Sequence, residues 1–233
     1  MGRRNKLQKF AEILNFDNVY ENVNQHIQDN TMLLRGPGNS AEMKGTWSAE
    51  HFKNNNPIVL ELACGRGEYS LALGRSNPEI NYIGIDVKGA RIWQGANIAI
   101  DENITNVAFV RTRIEMIKSF FTPGEVDEIW ITFPDPFLKE SKEERRLTSH
   151  SFLARYKEVV KPGGLLHLKT DDPTLFDFSM ETLTECEFLD MEYCKDDIYA
   201  STLDYPELEH KTYYEKMHLQ KQRTIKYIRC RFK

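Results

Sequence analysis

From residue 58 onward the chain alternates short apolar runs with amphipathic stretches, and that rhythm admits few folds. Residues 58–62, 82–86, 107–110, 128–133 and 165–170 are rich in aliphatic, β-branched and aromatic residues and read as strands. Residues 68–75 and 88–100 carry helical spacing, and Asn77-Pro78 ends the first of these stretches. Thr148 or Ser149 is placed to cap a helix that runs to residue 160 and stops at Lys161-Pro162-Gly163-Gly164. A further helix is expected over 174–184, a sixth strand over 188–193 and a seventh, alternating strand over 224–232. Strands alternating with helices predict an α/β fold, a mostly parallel sheet with helices on both faces.

The preceding segment differs. Apolar positions Leu7, Phe10, Ile13, Leu14, Val19, Val23 and Ile27 keep helical spacing across 5–30, broken near Asn15-Phe16-Asp17. Residues 31–57 show no period and read as a long loop. The expected organisation is an N-terminal helical arm and loop over 1–57 and one α/β domain over 58–233. A chain of 233 residues supplies a core for such a domain. No apolar run reaches membrane-spanning length. The basic start, Met1-Gly2-Arg3-Arg4, is not followed by a signal-peptide core, and Lys6 spoils a myristoylation motif. Neither export nor membrane anchoring is expected, and a cytoplasmic location is. Cys64, Cys186, Cys194 and Cys230 form no C-x-x-C pair, so no metal site is expected.

Net charge is −4, but its distribution is uneven. Residues 216–233 carry Lys216, Lys221, Arg223, Lys226, Arg229, Arg231 and Lys233 with no acid. Much of 171–209 is acidic. A basic face opposite an acidic one would suit an anionic partner.

Two strand ends carry chemistry. The first strand runs into Glu61-Leu62-Ala63-Cys64-Gly65-Arg66-Gly67-Glu68. Glycines one residue apart let a ligand approach the backbone as it turns into a helix. Asp86 ends the second strand, 19 residues after Gly67, where a carboxylate can accept from both ribose hydroxyls of a nucleoside. A third glycine, which would complete a dinucleotide fingerprint, is missing. Glu61 would repel a pyrophosphate and suits a ligand bearing an ammonium and a sulfonium. Both points favour S-adenosylmethionine over a nicotinamide dinucleotide. The fourth strand stops abruptly at Pro134-Asp135-Pro136, where two prolines fix the backbone around one carboxylate. Lys139, Arg145 and Arg146 follow, which suggests an anionic reactant.

These residues together resemble a known family. Glu61-x-x-x-Gly65-x-Gly67, Gly84-Ile85-Asp86-Val87-Lys88, Phe133-Pro134-Asp135-Pro136-Phe137-x-Lys139, Arg145-Arg146-Leu147-Thr148, Lys161-Pro162-Gly163-Gly164, Thr170-Asp171 and Thr212-Tyr213-Tyr214-Glu215 resemble the motifs of bacterial tRNA (guanine-N7-)-methyltransferases. The resemblance covers 58 to about 176 and resumes at 212–215. It implies a class I methyltransferase, Rossmann-like fold with a seven-stranded, mostly parallel sheet whose last strand is antiparallel. It implies methyl transfer from S-adenosylmethionine to N7 of a guanosine in the tRNA variable loop, leaving S-adenosylhomocysteine. By position, Glu61, Gly65, Gly67, Asp86, Arg113 and Asp135 would line the cofactor, and Asp135 would be catalytic. Lys139, Asp171, Thr212, Tyr213, Tyr214 and Glu215 would meet the guanosine or the tRNA. Arg145 and Arg146 would neutralise phosphates, and Phe137 or Tyr214 would stack on a flipped purine. Asp172 competes with Asp171, since one residue of register exchanges them, and His167 reads as structural.

The chain departs from the pattern at Thr112-Arg113-Ile114, where an acid is usual, at Phe137, where Trp is usual, and at the acidic Glu143-Glu144. Three other readings compete: a methyltransferase of a small molecule or protein, a non-catalytic tRNA-binding subunit, and a dinucleotide-dependent dehydrogenase. The sequence leaves the choice between monomer and homodimer open.

Overall fold

The computed structural model describes residues 5–22, 32–36 and 39–233, which form two compact units, Met1–Thr122 and Pro123–Lys233.

In the first unit, α1 (Lys6–Ile13) starts at Asn5, whose side chain accepts from Gln8 N–H while the Gln8 side chain accepts from Asn5 N–H. Then come β1 (Val19–Asn22), β2 (Met32–Leu34), β3 (Ser40–Glu42), β4 (Ile58–Leu62), α2 (Glu68–Ser76), β5 (Asn81–Asp86), α3 (Gly89–Asp101), β6 (Val107–Arg111) and α4 (Ile117–Phe120). The strands lie in the order β3-β2-β1-β6-β5-β4. β4, β5, β6 and β1 pair in parallel, and β2 and β3 are added antiparallel. β4 and β5 are buried along their whole length, as expected of parallel strands covered on both faces.

The N-terminal segment departs from expectation. Helical spacing across 5–30 predicts that Val19 is helical, yet Val19–Asn22 is a strand paired with β6. The helix stops near the expected break, and tertiary pairing overrides the spacing beyond it. Val23 and Ile27, like Arg3 and Arg4, lie outside the described residues. The stretch read as a loop holds β2, β3 and a π-helical turn, Trp47–Phe52. Trp47 is fully buried, donates from Nε1 to Phe120 O at 2.9 Å and stacks on Phe121 at 5.6 Å. Phe120 and Phe121 lie more than 70 residues away along the chain, so no local period announces this turn.

The second unit contains β7 (Val126–Thr132), α5 (His150–Lys157), β8 (Val160–Thr170), α6 (Pro173–Glu185), β9 (Leu189–Lys195), α7 (Tyr213–Gln220) and β10 (Lys226–Phe232). Its strand order is β7-β8-β10-β9. β7 and β8 are parallel, and β10 runs antiparallel to both neighbours. Every strand expected from residue 58 onward is therefore present, the last one antiparallel, with three short strands before them. β8 begins earlier than expected because Lys161-Pro162-Gly163-Gly164 belongs to it, and the register with β7 shifts there. One face of this sheet buries Ile129, Ile131, Leu166, Leu168, Ile228 and Cys230, and the other buries Trp130, His167, Lys169 and Tyr227. His167 is structural in this arrangement: its ring stacks on Trp130 at 4.0 Å and its Nδ1 meets the Tyr227 hydroxyl at 2.7 Å.

The end of the basic C-terminal run is neutralised within the sheet. β10 lies inside the sheet, and its Arg229 and Arg231 both pair with Glu192 of β9. Lys233 pairs with Asp190. These acids of the preceding stretch neutralise Arg229, Arg231 and Lys233, whereas Lys216 and Lys221 are exposed. Among the described residues no helix is long and apolar enough to cross a membrane.

Candidate active site

In the first unit the loop between β4 and α2 is built on left-handed residues. Ala63, Gly65 and Gly67 have φ of 56°, 57° and 65°. A Cβ on Gly67 would lie 2.3 Å from Phe109 Cε1, so only glycine fits there. A Cβ on Gly65 would meet nothing within 4 Å, which leaves the loop open above that residue. Asp86, at the end of β5, is buried and ties the loop down: its Oδ2 accepts from Gly65 N–H at 2.9 Å and its Oδ1 from Lys88 N–H at 2.8 Å. Each oxygen keeps a second lone pair for a ligand hydroxyl. Glu61, also buried, accepts from Ser70 N–H at 2.8 Å and from the Ser70 hydroxyl, which steadies the first turn of α2. Burial, with Glu61 and Asp86 alongside, pushes the Cys64 thiol well above its ordinary range, so it is an inert wall of the loop.

The residue after β6 adds an informative atom. Thr112 donates from its N–H to Asp86 O at 3.1 Å, and its buried Oγ1 has no hydrogen-bond partner. A buried hydroxyl without a partner is costly unless a ligand completes it. The open glycine loop, the Asp86 carboxylate and this hydroxyl fit a polar nucleoside. Arg113 is exposed and pairs with Glu115 at 3.0 Å; it is not tied to the Gly65–Asp86 cluster.

In the second unit β7 ends in a loop with two left-handed phenylalanines, Phe133 (φ 49°) and Phe137 (φ 43°), around Pro134-Asp135-Pro136. Bulky residues are rare in this region, and such strain concentrates at functional sites. Phe133 N–H donates to Lys169 O at 2.8 Å. Asp135 is exposed, with Oδ1 accepting from Phe137 N–H at 3.1 Å. Lys139 and Arg145 are exposed as well.

Arg146 behaves differently from the RNA contact expected for it. It is 2% exposed, and its guanidinium donates to Pro136 O at 3.1 Å, to Phe137 O at 3.2 Å and to Glu143 at 3.0 Å. Its Cζ lies 4.4 Å from the centre of the Phe178 ring. With its donors committed to the loop, it presents nothing to a phosphate.

The end of β8 separates the two competing aspartates. Asp172 caps α6 by accepting from Leu175 N–H at 2.8 Å. Asp171 meets His218 Nδ1 at 3.1 Å and Arg223 Nη1 at 2.6 Å. His218 in turn stacks on Phe133 at 6.0 Å, which brings α7 to the Asp135 loop. Of the four residues at the start of α7, Tyr213 and Tyr214 are exposed and can meet RNA. Thr212 is instead the helix cap, its hydroxyl accepting from Glu215 N–H. Glu215 is fully buried and not open to RNA; its Oε1 takes Lys169 Nζ at 2.8 Å and the Tyr199 hydroxyl at 2.6 Å. Burial pulls the Lys169 ammonium below its usual range, against the opposing pull of Glu215.

The comparisons agree with this geometry. A family model, Methyltransf_4, described as "Putative methyltransferase", matches residues 55–228. A tRNA (guanine-N(7)-)-methyltransferase of Christiangramia forsetii is 44% identical over 234 residues, 100% of this chain and of that one. The protein of the same name from Bacteroides thetaiotaomicron is 44% identical over 98% of this chain and 86% of its own. The chain belongs to the tRNA (guanine-N(7)-)-methyltransferase family. The crystal structure of the 16S rRNA methyltransferase KamB matches with a TM-score of 0.60 at 13% identity, over 84% of this chain and 96% of that one. At that identity the likeness concerns the fold, which is the class I, Rossmann-like methyltransferase fold.

Sequence reasoning missed several residues that matter within this family member. Ser70, Thr112 and His218 carry no signal of their own. Lys169 carries one: a lysine at a core-facing position of an apolar strand needs a buried partner.

Proposed function

We propose that the protein is an S-adenosylmethionine-dependent tRNA methyltransferase acting on N7 of a guanosine in the variable loop, in the cytoplasm. The observation that carries the reading is the exposed Asp135 carboxylate on a backbone too constrained to be an ordinary turn. Glu61, Gly65, Gly67 and Asp86 would hold the cofactor, Asp86 through the ribose hydroxyls and Glu61 through its negative charge. Arg113 borders the adenine end. S-adenosylmethionine, when bound, supplies an electrophilic methyl on a sulfonium.

Guanine N7 has a lone pair and no proton, so no general base is needed to make the nucleophile. Its lone pair forms the new N–C bond, and the methyl–sulfur bond breaks with its electrons kept by sulfur. The enzyme's work is positioning and electrostatics. Asp135 accepts from the N1–H and N2–H edge of guanine and favours the cationic product ring. Asp171, held by Arg223 and lying beside His218, fixes the far wall of the base site. Tyr213, Tyr214 and Phe137 offer stacking surfaces for a base taken out of its loop. Lys139 and Arg145 neutralise phosphates and set register without choosing the base.

The test is methyl transfer from labelled S-adenosylmethionine to unmodified tRNA, beside a tRNA whose variable-loop guanosine is replaced by adenosine. Label on the first alone, mapped to N7, is expected. Label on both, or on neither, defeats the reading.

A further inference from the structure

We infer that Arg146 is a positioning residue that holds the Pro134-Asp135-Pro136 loop in its reactive shape from within the protein. The inference rests on the reading above for its catalytic consequence, but not for its structural content. The loop is bounded by two phenylalanines at φ 49° and 43°. A backbone in that state relaxes unless its surroundings over-determine it. Phe133 is held by the Lys169 carbonyl, on the β7 side. On the other side, Phe137 N–H donates to Asp135 Oδ1, a bond within the loop itself.

Arg146 supplies a hold from outside the loop. Nε and Nη2 donate to two consecutive carbonyls, Pro136 O and Phe137 O, the groups that immediately follow Asp135. The planar fork fixes their mutual orientation, which a lysine ammonium cannot do. Glu143 neutralises the charge through Nη1, and the Phe178 ring covers the guanidinium face. The Asp135 carboxylate is in turn tied to Phe137 N–H. A displacement of Phe137 therefore moves the carboxylate that orients the base, and misplacement by about 1 Å can cost 100-fold in rate.

The neighbouring Arg145 is the contrast. It is exposed, as the phosphate contact in the proposed function requires.

Arg146→Met and Arg146→Lys decide the matter by three readouts: single-turnover kcat and KM for tRNA, the salt dependence of tRNA binding, and hydrogen exchange of the 133–139 segment. For Arg146→Met the expected result is a kcat lower by about 100-fold, with KM and the salt slope unchanged and faster exchange across 133–139. Arg146→Lys restores part of the rate, because one donor survives. Arg145→Gln moves the KM and reduces the salt slope by about one.

Unchanged exchange and unchanged kcat in Arg146→Met would overturn the inference. So would a raised KM with a reduced salt slope and an intact kcat, which marks a phosphate contact. If Arg146→Met does not fold, Arg146→Lys carries the same readouts. If the wild type transfers no methyl to tRNA, the proposed function fails by itself, and the exchange rates still decide whether Arg146 holds the loop.

Discussion

After β4 the left-handed positions are Ala63, Gly65 and Gly67; after β7 they are Phe133 and Phe137. Both loops follow the carboxyl end of a parallel strand, where open α/β sheets place ligands. The first loop obtains its backbone mostly from glycine, which reaches positive φ without a Cβ penalty, with one tie from Asp86 at the end of β5 to Gly65 N–H. The second obtains the same backbone from residues that resist it by about 1–2 kcal/mol each. It is held by the Lys169 carbonyl and the Arg146 guanidinium, which come from other parts of the second unit. A shape written in local residue types survives distant substitutions. A shape imposed by distant side chains fails when one of them is removed.

The largest effect expected from this contrast is on Lys169. Its carbonyl anchors Phe133, and its ammonium pairs with Glu215 where both side chains are fully buried. Lys169→Met leaves the Glu215 carboxylate buried without its charge partner, at a cost of about 3–5 kcal/mol. Denaturant unfolding measures it. Lys169→Met combined with Glu215→Leu recovers part of that loss, because removing both charges also removes the desolvation penalty, although the bonds to Leu208 O, His210 O and the Tyr199 hydroxyl go with them. A single substitution with no measurable cost would show that the buried pair contributes nothing to the stability of the second unit.

Next is Asp135→Asn, which keeps the shape of the second loop and removes its charge. Single-turnover methylation falls by about 100-fold, the magnitude associated with losing one preorganised electrostatic contact. Thermal stability stays within about 0.5 kcal/mol, since the side chain is exposed and Asn Oδ1 still accepts from Phe137 N–H. An unchanged rate would remove Asp135 from the chemistry.

The two glycines of the first loop give a finer test. Gly67→Ala places a methyl 2.3 Å from Phe109 Cε1 at a left-handed position. Overpacking and backbone strain together cost about 2–4 kcal/mol. Gly65→Ala has the strain without the clash, because nothing lies within 4 Å, and costs about 1 kcal/mol. Urea midpoints of the two variants separate these contributions. Equal losses would mean that the Phe109 contact relaxes freely and that the first loop is held by φ alone.

This contrast also explains what the sequence made legible. Gly65, Gly67 and Asp86 could be read because residue type and spacing are themselves the geometry: a turn that needs no Cβ, then an acid at the next strand end. Asp135 could be read because prolines declare their own backbone. Arg146 could not be told from Arg145. The two are adjacent, and the short 3₁₀ turn Glu140–Arg145 leaves its last residue in solvent while Arg146, just after it, turns inward. Glu215 could not be placed because a T-x-x-E pattern serves equally as a helix cap and as a binding motif. Trp47 orders the segment read as a loop through Tyr20, Phe120 and Phe121, contacts that no local window contains. The basic C-terminal run looked like a surface until its strand was found between two others, with Glu192 beside its arginines.

The sharpest test of the contrast is Phe137→Gly. It converts the second loop's solution into that of the first. Glycine removes about 1–2 kcal/mol of left-handed strain but adds about 0.4–1 kcal/mol of unfolded-state entropy and forfeits the contacts of a half-buried ring. The net change in unfolding free energy is therefore within about 1 kcal/mol of zero, measurable as a shift in Tm of a few degrees at most. The rate should not follow the stability. A glycine at 137 lets the carbonyls held by Arg146 turn, so single-turnover methylation falls by about tenfold while the protein remains as stable as before. If rate and stability were both unchanged, the strained phenylalanine would have no part in holding Asp135, and the tight backbone after β7 would be a feature of packing alone.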